Sequence, residues 1–225
     1  IRRQRQMCIR DRATCVIFGL INNKLCILLQ RRDAEPYKNS FSLPACMLYP
    51  NDVIEDRVDE LIKSICGAED FYRKQIRAFT DTARHPLGRV ISIGFYCFVN
   101  TELCKLNPNE DLFWSEYRAL PPLAFDHNEI SSAAHRRVLT KMSSQLAGFE
   151  LIPKKFTLKQ LQEMYEAVLG HNLDKRNFRR KVLRHSVILD TGEHQSPWFE
   201  SGKAPVLYML DRETYNRNRS LGTIY

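Results

Sequence analysis

No run of eighteen or more apolar residues occurs in the chain, so no segment is built to cross a membrane as a helix. An apolar h-region with a small-residue cleavage pattern is also missing, which argues against a secretory signal. No Cys-x-x-Cys pair is present. The seven cysteines (Cys8, Cys15, Cys26, Cys46, Cys66, Cys97, Cys104) are scattered singly, against a zinc or dithiol motif and for a reducing, cytoplasmic setting. The histidines have no partners at metal spacing, so no metal and no cofactor are expected. Internal repeats and low-complexity tracts are lacking. What is present is enough apolar sequence, 44% of 225 residues, to build a core.

Charge is unevenly spread. Residues 13–150 carry 16 Lys+Arg against 17 Asp+Glu, whereas 151–225 carry 13 against 8. The first twelve residues, IRRQRQMCIRDR, add five arginines and one aspartate. They show no apolar period and are set aside from the fold as a basic arm or a sequence scar. Basic ends favour polyanionic partners such as nucleic acid, although a solvated surface has the same composition.

A shift to basic composition between Gly148 and Lys155, with Pro153 breaking any helix, divides the rest into two domains, 13–150 and 151–225. ATCVIFGL and KLCILLQRR read as strands of a hairpin turned by Asn22-Asn23. Asp52 is placed to cap a helix that ends near Cys66, with Gly67 in the left-handed position beyond it. KQIRAFTD and RVISIGFYCFVN read as strands, with Pro86-Leu87-Gly88 between them. DLFWSEYRALPPLAFDH reads as a loop leading to Asp126, the cap of a helix running to about Leu146. Strands and helices around one sheet make an α/β domain.

Beyond Pro153 the pattern changes. Thr157 and Gln160 stand in capping-box spacing, with Phe156 and Leu161 placed as a hydrophobic staple. Leu158, Leu161, Tyr165, Val168 and Leu169 line one face, and Gly170 ends the helix. A second helix starts at Asp174, anchored by Phe178 and Val182. SVILD, a turn at Thr191-Gly192, a polar loop and PVLYML then read as a hairpin. Helix, turn, basic helix and hairpin make a winged helix-turn-helix.

Two groups of residues carry candidate chemistry. Lys175, Arg176, Asn177, Arg179, Arg180, Lys181 and Arg184 populate the second helix, and no acidic residue interrupts Lys175 to Arg184. Like charges four apart repel by a few tenths of a kcal/mol per pair, and phosphate would offset this. Arginine's planar fork pairs with phosphate or with the O6/N7 edge of guanine, and asparagine can pair with adenine. The second group, Arg31, Arg32, Arg84, His85 and Arg89, provides candidate anion contacts for a small-molecule effector, though strand-end arginines are also common as plain surface. Glu55, Asp56, Asp59 and Glu60 share one helix but lie in its first half, where carboxylates also simply favour the helix dipole. No catalytic residue is assigned.

Two regions together resemble the Nudix-related transcriptional regulators, which fuse a Nudix-like sensor domain to a winged helix. SLPACMLYPNDVIEDRVDELIKSICGA (Ser42 to Ala68) has the framing of a Nudix box, with Leu43-Pro44 and a closing Gly67. Counting back from Gly67 puts Glu60, Leu61, Ser64 and Ile65 where the hydrolase box has Arg-Glu and Glu-Glu. The loop before it, Pro36 to Cys46, has lost the family's glycines, and Phe41 replaces tryptophan. HPLGRVISIGFY and PPLAFDHNEI are similar to the strand and linker that follow. FTLKQLQEMYEAVLG and LDKRNFRRKVL are close to the DNA-binding segment. The resemblance implies a Nudix-like α/β/α sandwich with a mixed sheet, followed by a winged helix-turn-helix. It implies a homodimer on a double-stranded DNA operator and a sensor pocket for a metabolite such as ADP-ribose or a pentose. The alternatives are a divergent Nudix hydrolase of a nucleoside diphosphate derivative and an RNA-binding adaptor.

Overall fold

A computed structural model describes residues 11–107, 111–195 and 204–220. Strands β1 (Arg12–Ile21) and β2 (Lys24–Arg31) form the expected hairpin. Asn22 and Asn23 turn it with φ of 50° and 58°, as a two-residue turn matched to strand twist requires. Short strands β3 (Phe41–Ser42) and β4 (Ala45–Met47) lead to helix α1 (Ile54–Cys66). Strands β5 (Tyr72–Phe79), β6 (Ser92–Phe98) and β7 (Leu112–Glu116) follow, then helix α2 (His127–Ser144).

The sheet runs β3-β2-β1-β6-β5, with β4 on β1 and β7 on β2. It is mixed, since β1 is antiparallel to β2 and parallel to β6. Strand alternation sorts its two faces. Ala13, Cys15, Ile17, Phe95, Cys97 and Val99 meet Val58, Ile62 and Ile65 of α1 on one face. Val16, Phe18, Tyr96 and Phe98 meet Ile130, Ala134 and Val138 of α2 on the other. A period of two in the strands thus yields two helix-covered faces, the α/β/α sandwich expected from the sequence.

The winged unit follows: β8 (Lys155–Phe156), α3 (Leu158–Leu169), α4 (Lys175–Arg184), β9 (Ile188–His194) and β10 (Val206–Leu210). β10 is central in this three-stranded sheet, between β8 and β9. Thr157 and Gln160 form the reciprocal capping box, and Gly170 ends α3 at φ +84°. Phe149, Leu151 and Phe156 belong to the same buried cluster as Phe18 and Val138, so the α2 face of the sandwich runs without a break into the winged unit.

Several expectations are corrected. Strand β1 begins at Arg12, inside the segment set aside from the fold, and pairs with Met47 and Ser92; residues 1–10 lie outside the described residues. Asp52 does not cap α1, because its carboxylate turns back to the Tyr49 amide and Arg57; Val53 occupies the cap position. Residues 112–116 are a strand rather than a loop, since Leu112, Phe113 and Trp114 pair with Gln30, Leu29 and Leu28. Thr191-Gly192 is not the hairpin turn. Strand β9 runs through both, with Gly192 at φ +70° and a register irregularity opposite, between Val206 and Tyr208. Residues 196–203 lie outside the described residues. A further helix, α5 (Arg212–Ser220), had no signal read from the sequence.

Candidate nucleic-acid interface and anion cleft

Asp174 starts α4 by accepting the Asn177 amide at 2.8 Å. Ten residues are too few for a helix to persist alone in water, so tertiary packing holds it. Phe178 and Val182 are buried, worth about 1.5–3 kcal/mol each, and Phe178 lies 5.4 Å from the Tyr165 ring of α3. The other side of α4 is left to solvent. Lys175, Arg176, Asn177, Arg179, Arg180, Lys181 and Arg184 are all exposed. Arg180 donates to Asn177 Oδ1 at 3.0 Å. Among the described residues none of the six cations forms an ion pair, whereas Lys154, Lys155 and Arg212 nearby are each paired with a carboxylate. The concentrated charge reaches His185, held below the usual imidazole range by partial burial and then by Lys181 and Arg184.

The predicted effector residues separate into two sets. Arg32, Arg84 and His85 line one small cleft with Arg12, Thr14, Gln30, Ser42, Phe125 and His127. Arg84 is buried and holds Asp126 through two bonds of 2.8 and 2.7 Å. Arg32 lies over the Phe125 ring at 4.8 Å, and His85 stacks on the same ring at 5.0 Å. Arg31 and Arg89 do not reach this cleft. Arg31 follows Gln30 on an alternating strand, so it points to the other side and pairs with Asp111. Arg89 is exposed outside the lining.

Two cleft residues were missed. Arg12 had been discarded with the basic tail, although the apolar run beginning at Ala13 marks it as the first residue of a strand. Its guanidinium is pushed below its ordinary value by burial, then by Arg32 and Arg84. His127 is buried, and its Nδ1 accepts the Leu43 amide at 2.9 Å. Burial, reinforced by Arg84, Arg32 and Arg12, lowers it to about 3, so it is neutral at physiological pH. Three guanidiniums therefore line the cleft, and among the described residues one carboxylate, Asp126, pairs with them, through Arg84. Such an excess of positive charge around a neutral donor suits an anion. The cleft is about 60 Å³, far below the roughly 300–1,000 Å³ of a pocket that encloses a whole metabolite. Its enclosed part fits one anionic group.

The box positions are unsuited to Mg²⁺, which takes hard oxygen ligands. Ile65 is fully buried, Leu61 packs on the α1 cluster, and the Ser64 hydroxyl donates to the Leu61 carbonyl. Asp59 is held by Arg73, and Glu60 by Arg57. Among the described residues no group of three His, Cys, Asp or Glu is arranged to hold a metal ion.

Between the two sites runs a contact path. Strand β7, paired along β2, leads into a 3-10 turn at Tyr117–Ala119. There the Tyr117 ring packs on His135 at 4.2 Å. His135 lies close to the Val168 backbone of α3. The Arg118 guanidinium lies against Gly170, leaving no room for a Cβ there.

Comparison with known proteins adds to this geometry. Residues 148–210 match the NrtR DNA-binding winged helix domain. Over 212 residues the chain is 27% identical to the ADPR responsive transcriptional repressor NtrR of Acinetobacter baylyi, spanning 90% of this chain and 82% of that protein. It is 30% identical over 113 residues to an ADP-ribose pyrophosphatase of Methanocaldococcus jannaschii, covering 50% of this chain and 67% of the enzyme. The crystal structure of Shewanella oneidensis NrtR complexed with a 27mer DNA has the same fold, with a TM-score of 0.82 at 23% identity over 91% of this chain and 95% of that one.

Proposed function

The chain belongs to the Nudix-related transcriptional regulators, and from that premise we propose that it is an ADP-ribose-responsive repressor whose sandwich domain, 13–150, senses and whose winged domain, 151–225, binds duplex DNA. The observation that carries this reading is the α4 surface: six exposed cations without ion-pair partners among the described residues, on a helix whose opposite face is anchored in the core. Arg176, Asn177 and Arg180 would meet base edges and phosphates of the major groove. Lys175, Arg179, Lys181 and Arg184 would add phosphate contacts, with backbone contacts from the wing, Gly192 to Lys203, of which 196–203 lie outside the described residues. A homodimer would set two such helices about one turn of DNA apart.

The diphosphate of ADP-ribose supplies an anion of the kind the cleft is built for. One phosphate would sit among Arg12, Arg32 and Arg84, and the neutral His127 would donate from Nε2, since Nδ1 already accepts. The rest of the ligand would extend over His85 and Phe125. Arg31 and Arg89 are outside the cleft and are dropped from the proposed contacts. A shift of β2 on binding would pass along β7 to Arg118 and His135, which touch α3, and so alter how α4 is presented. With Leu61, Ser64 and Ile65 at the metal positions, the domain would bind without hydrolysing. Incubation with ADP-ribose and Mg²⁺ should release no AMP, and turnover would restore the hydrolase reading.

A gel shift on an operator selected by the protein from random duplexes tests the main claim. Arg180→Ala and Arg184→Ala should each lower the slope of log K against log salt by about one. ADP-ribose should weaken binding of the parent. Unchanged binding by both variants at every salt concentration would overturn the assignment of α4.

A further inference from the structure

Cys66 is the last residue of α1 and is buried. Cys104, half-buried, follows the turn that leaves β6. Their thiols are near enough to shift each other's ionisation. The backbone fixes the pair from both sides: the Lys105 amide donates to the Cys66 carbonyl at 2.7 Å, and the Asn107 amide to the Ile65 carbonyl at 3.0 Å. Gly67, just after Cys66, lies so close that an added Cβ would touch Lys105.

We propose that Cys66 and Cys104 form a modification site at which peroxide makes a reversible disulfide. The two thiols have different roles. Cys104 is the more accessible sulfur and meets peroxide first, while Cys66 is buried beside it. The neighbouring Cys66 holds the Cys104 thiol below its usual range, and Cys104 together with burial pushes Cys66 above it. The Cys104 sulfur attacks one peroxide oxygen and the O–O bond breaks. Cysteine is oxidised to sulfenic acid as the peroxide is reduced to water. The Cys66 sulfur then attacks Cys104, the S–O bond breaks, and the hydroxyl leaves as water with the Cys66 proton. Little backbone movement is needed, because the Lys105–Cys66 backbone bond already holds the two residues side by side. The other described cysteines lack this arrangement. Cys15 and Cys97 are completely buried, and burial pushes both thiols up. Cys46 points its thiol at the Arg57 carbonyl.

The site lies at the root of a seam with the winged unit. Four residues after Cys66, Asp70 pairs with Lys154 and Arg212. One residue before Cys104, Leu103 lines a cavity of about 420 Å³ together with Leu189 and Met209 of the wing strands. A disulfide would tie these two approaches to the seam together.

The test uses the full chain, reduced and then exposed to hydrogen peroxide, followed by N-ethylmaleimide and peptide mapping. A linked Cys66–Cys104 peptide, about 2 Da lighter than the two thiol peptides and released by dithiothreitol, is expected. Cys104 should be consumed several-fold faster than Cys46. In Cys104→Ser, Cys66 should stay unmodified under the same exposure. Reaction of Cys104 no faster than Cys46, or its conversion to sulfinic acid while Cys66 stays free, would overturn the proposal.

Discussion

Replacing Asp126 by alanine removes the one carboxylate among the described residues that pairs with a guanidinium of the cleft. The Arg84 side chain is 4% exposed and that of Asp126 13%, so solvent screens their two hydrogen bonds little. Breaking a buried pair from one side costs about 3–5 kcal/mol, because the remaining charge stays buried. Helix α2 loses no cap, since the Asp126 side chain makes no bond to the helix amides. At about 2–4 °C per kcal/mol for a chain of this size, Tm should fall by roughly 6–20 °C in chloride buffer. Arg12, Arg32 and Arg84 would then line the cleft with no compensating charge, and an anion should take the vacated place. Inorganic phosphate at about a hundredfold excess over its Kd restores roughly 3 kcal/mol. Scanning calorimetry of parent and variant in chloride and in rising phosphate, at constant ionic strength, measures both effects. A Tm loss below about 2 °C, or the same phosphate dependence in both proteins, would refute the charge accounting of the cleft.

Two further outcomes follow from the same geometry. His127 has its folded-state pKa lowered to about 3 from an unfolded value near 6.5. The unfolded chain therefore takes up the proton first as pH falls. Stability should be full above about pH 6.5 and decline by roughly 1 kcal/mol per pH unit down to about pH 3; urea melts against pH measure it, and His127→Asn should flatten this component. Gly170→Ala places a Cβ at φ +84° against the Arg118 guanidinium, at an expected cost of about 1–3 kcal/mol. If the path from cleft to α3 passes through Arg118, the variant should also lose most of the ADP-ribose effect in gel shifts, and parent-like coupling would remove that path.

The winged helix was the most legible part of the chain because its signals are local. Thr157 and Gln160, Gly170, and Phe178 with Val182 act within a few residues of one another, so the sequence carries both the helices and their limits. Six cations without an acidic residue among them also mark the outward face of α4 by themselves. The cleft was less legible. Arg12 sits in a run of charges that hid the start of β1, and Arg31 resembles Arg32 until the strand alternation sends them to opposite sides. His127 has no sequence partner: its bond to the Leu43 amide spans 84 residues.

By itself the sequence determined the order of sandwich and winged helix and the basic helix, because each depends on residue type at fixed spacing along one element. Tertiary structure alone decided which arginines converge, that Asp126 serves Arg84 rather than its own helix, and that Cys66 lies beside Cys104. Those contacts join segments dozens of residues apart, and chain spacing does not encode the sheet register that brings them together.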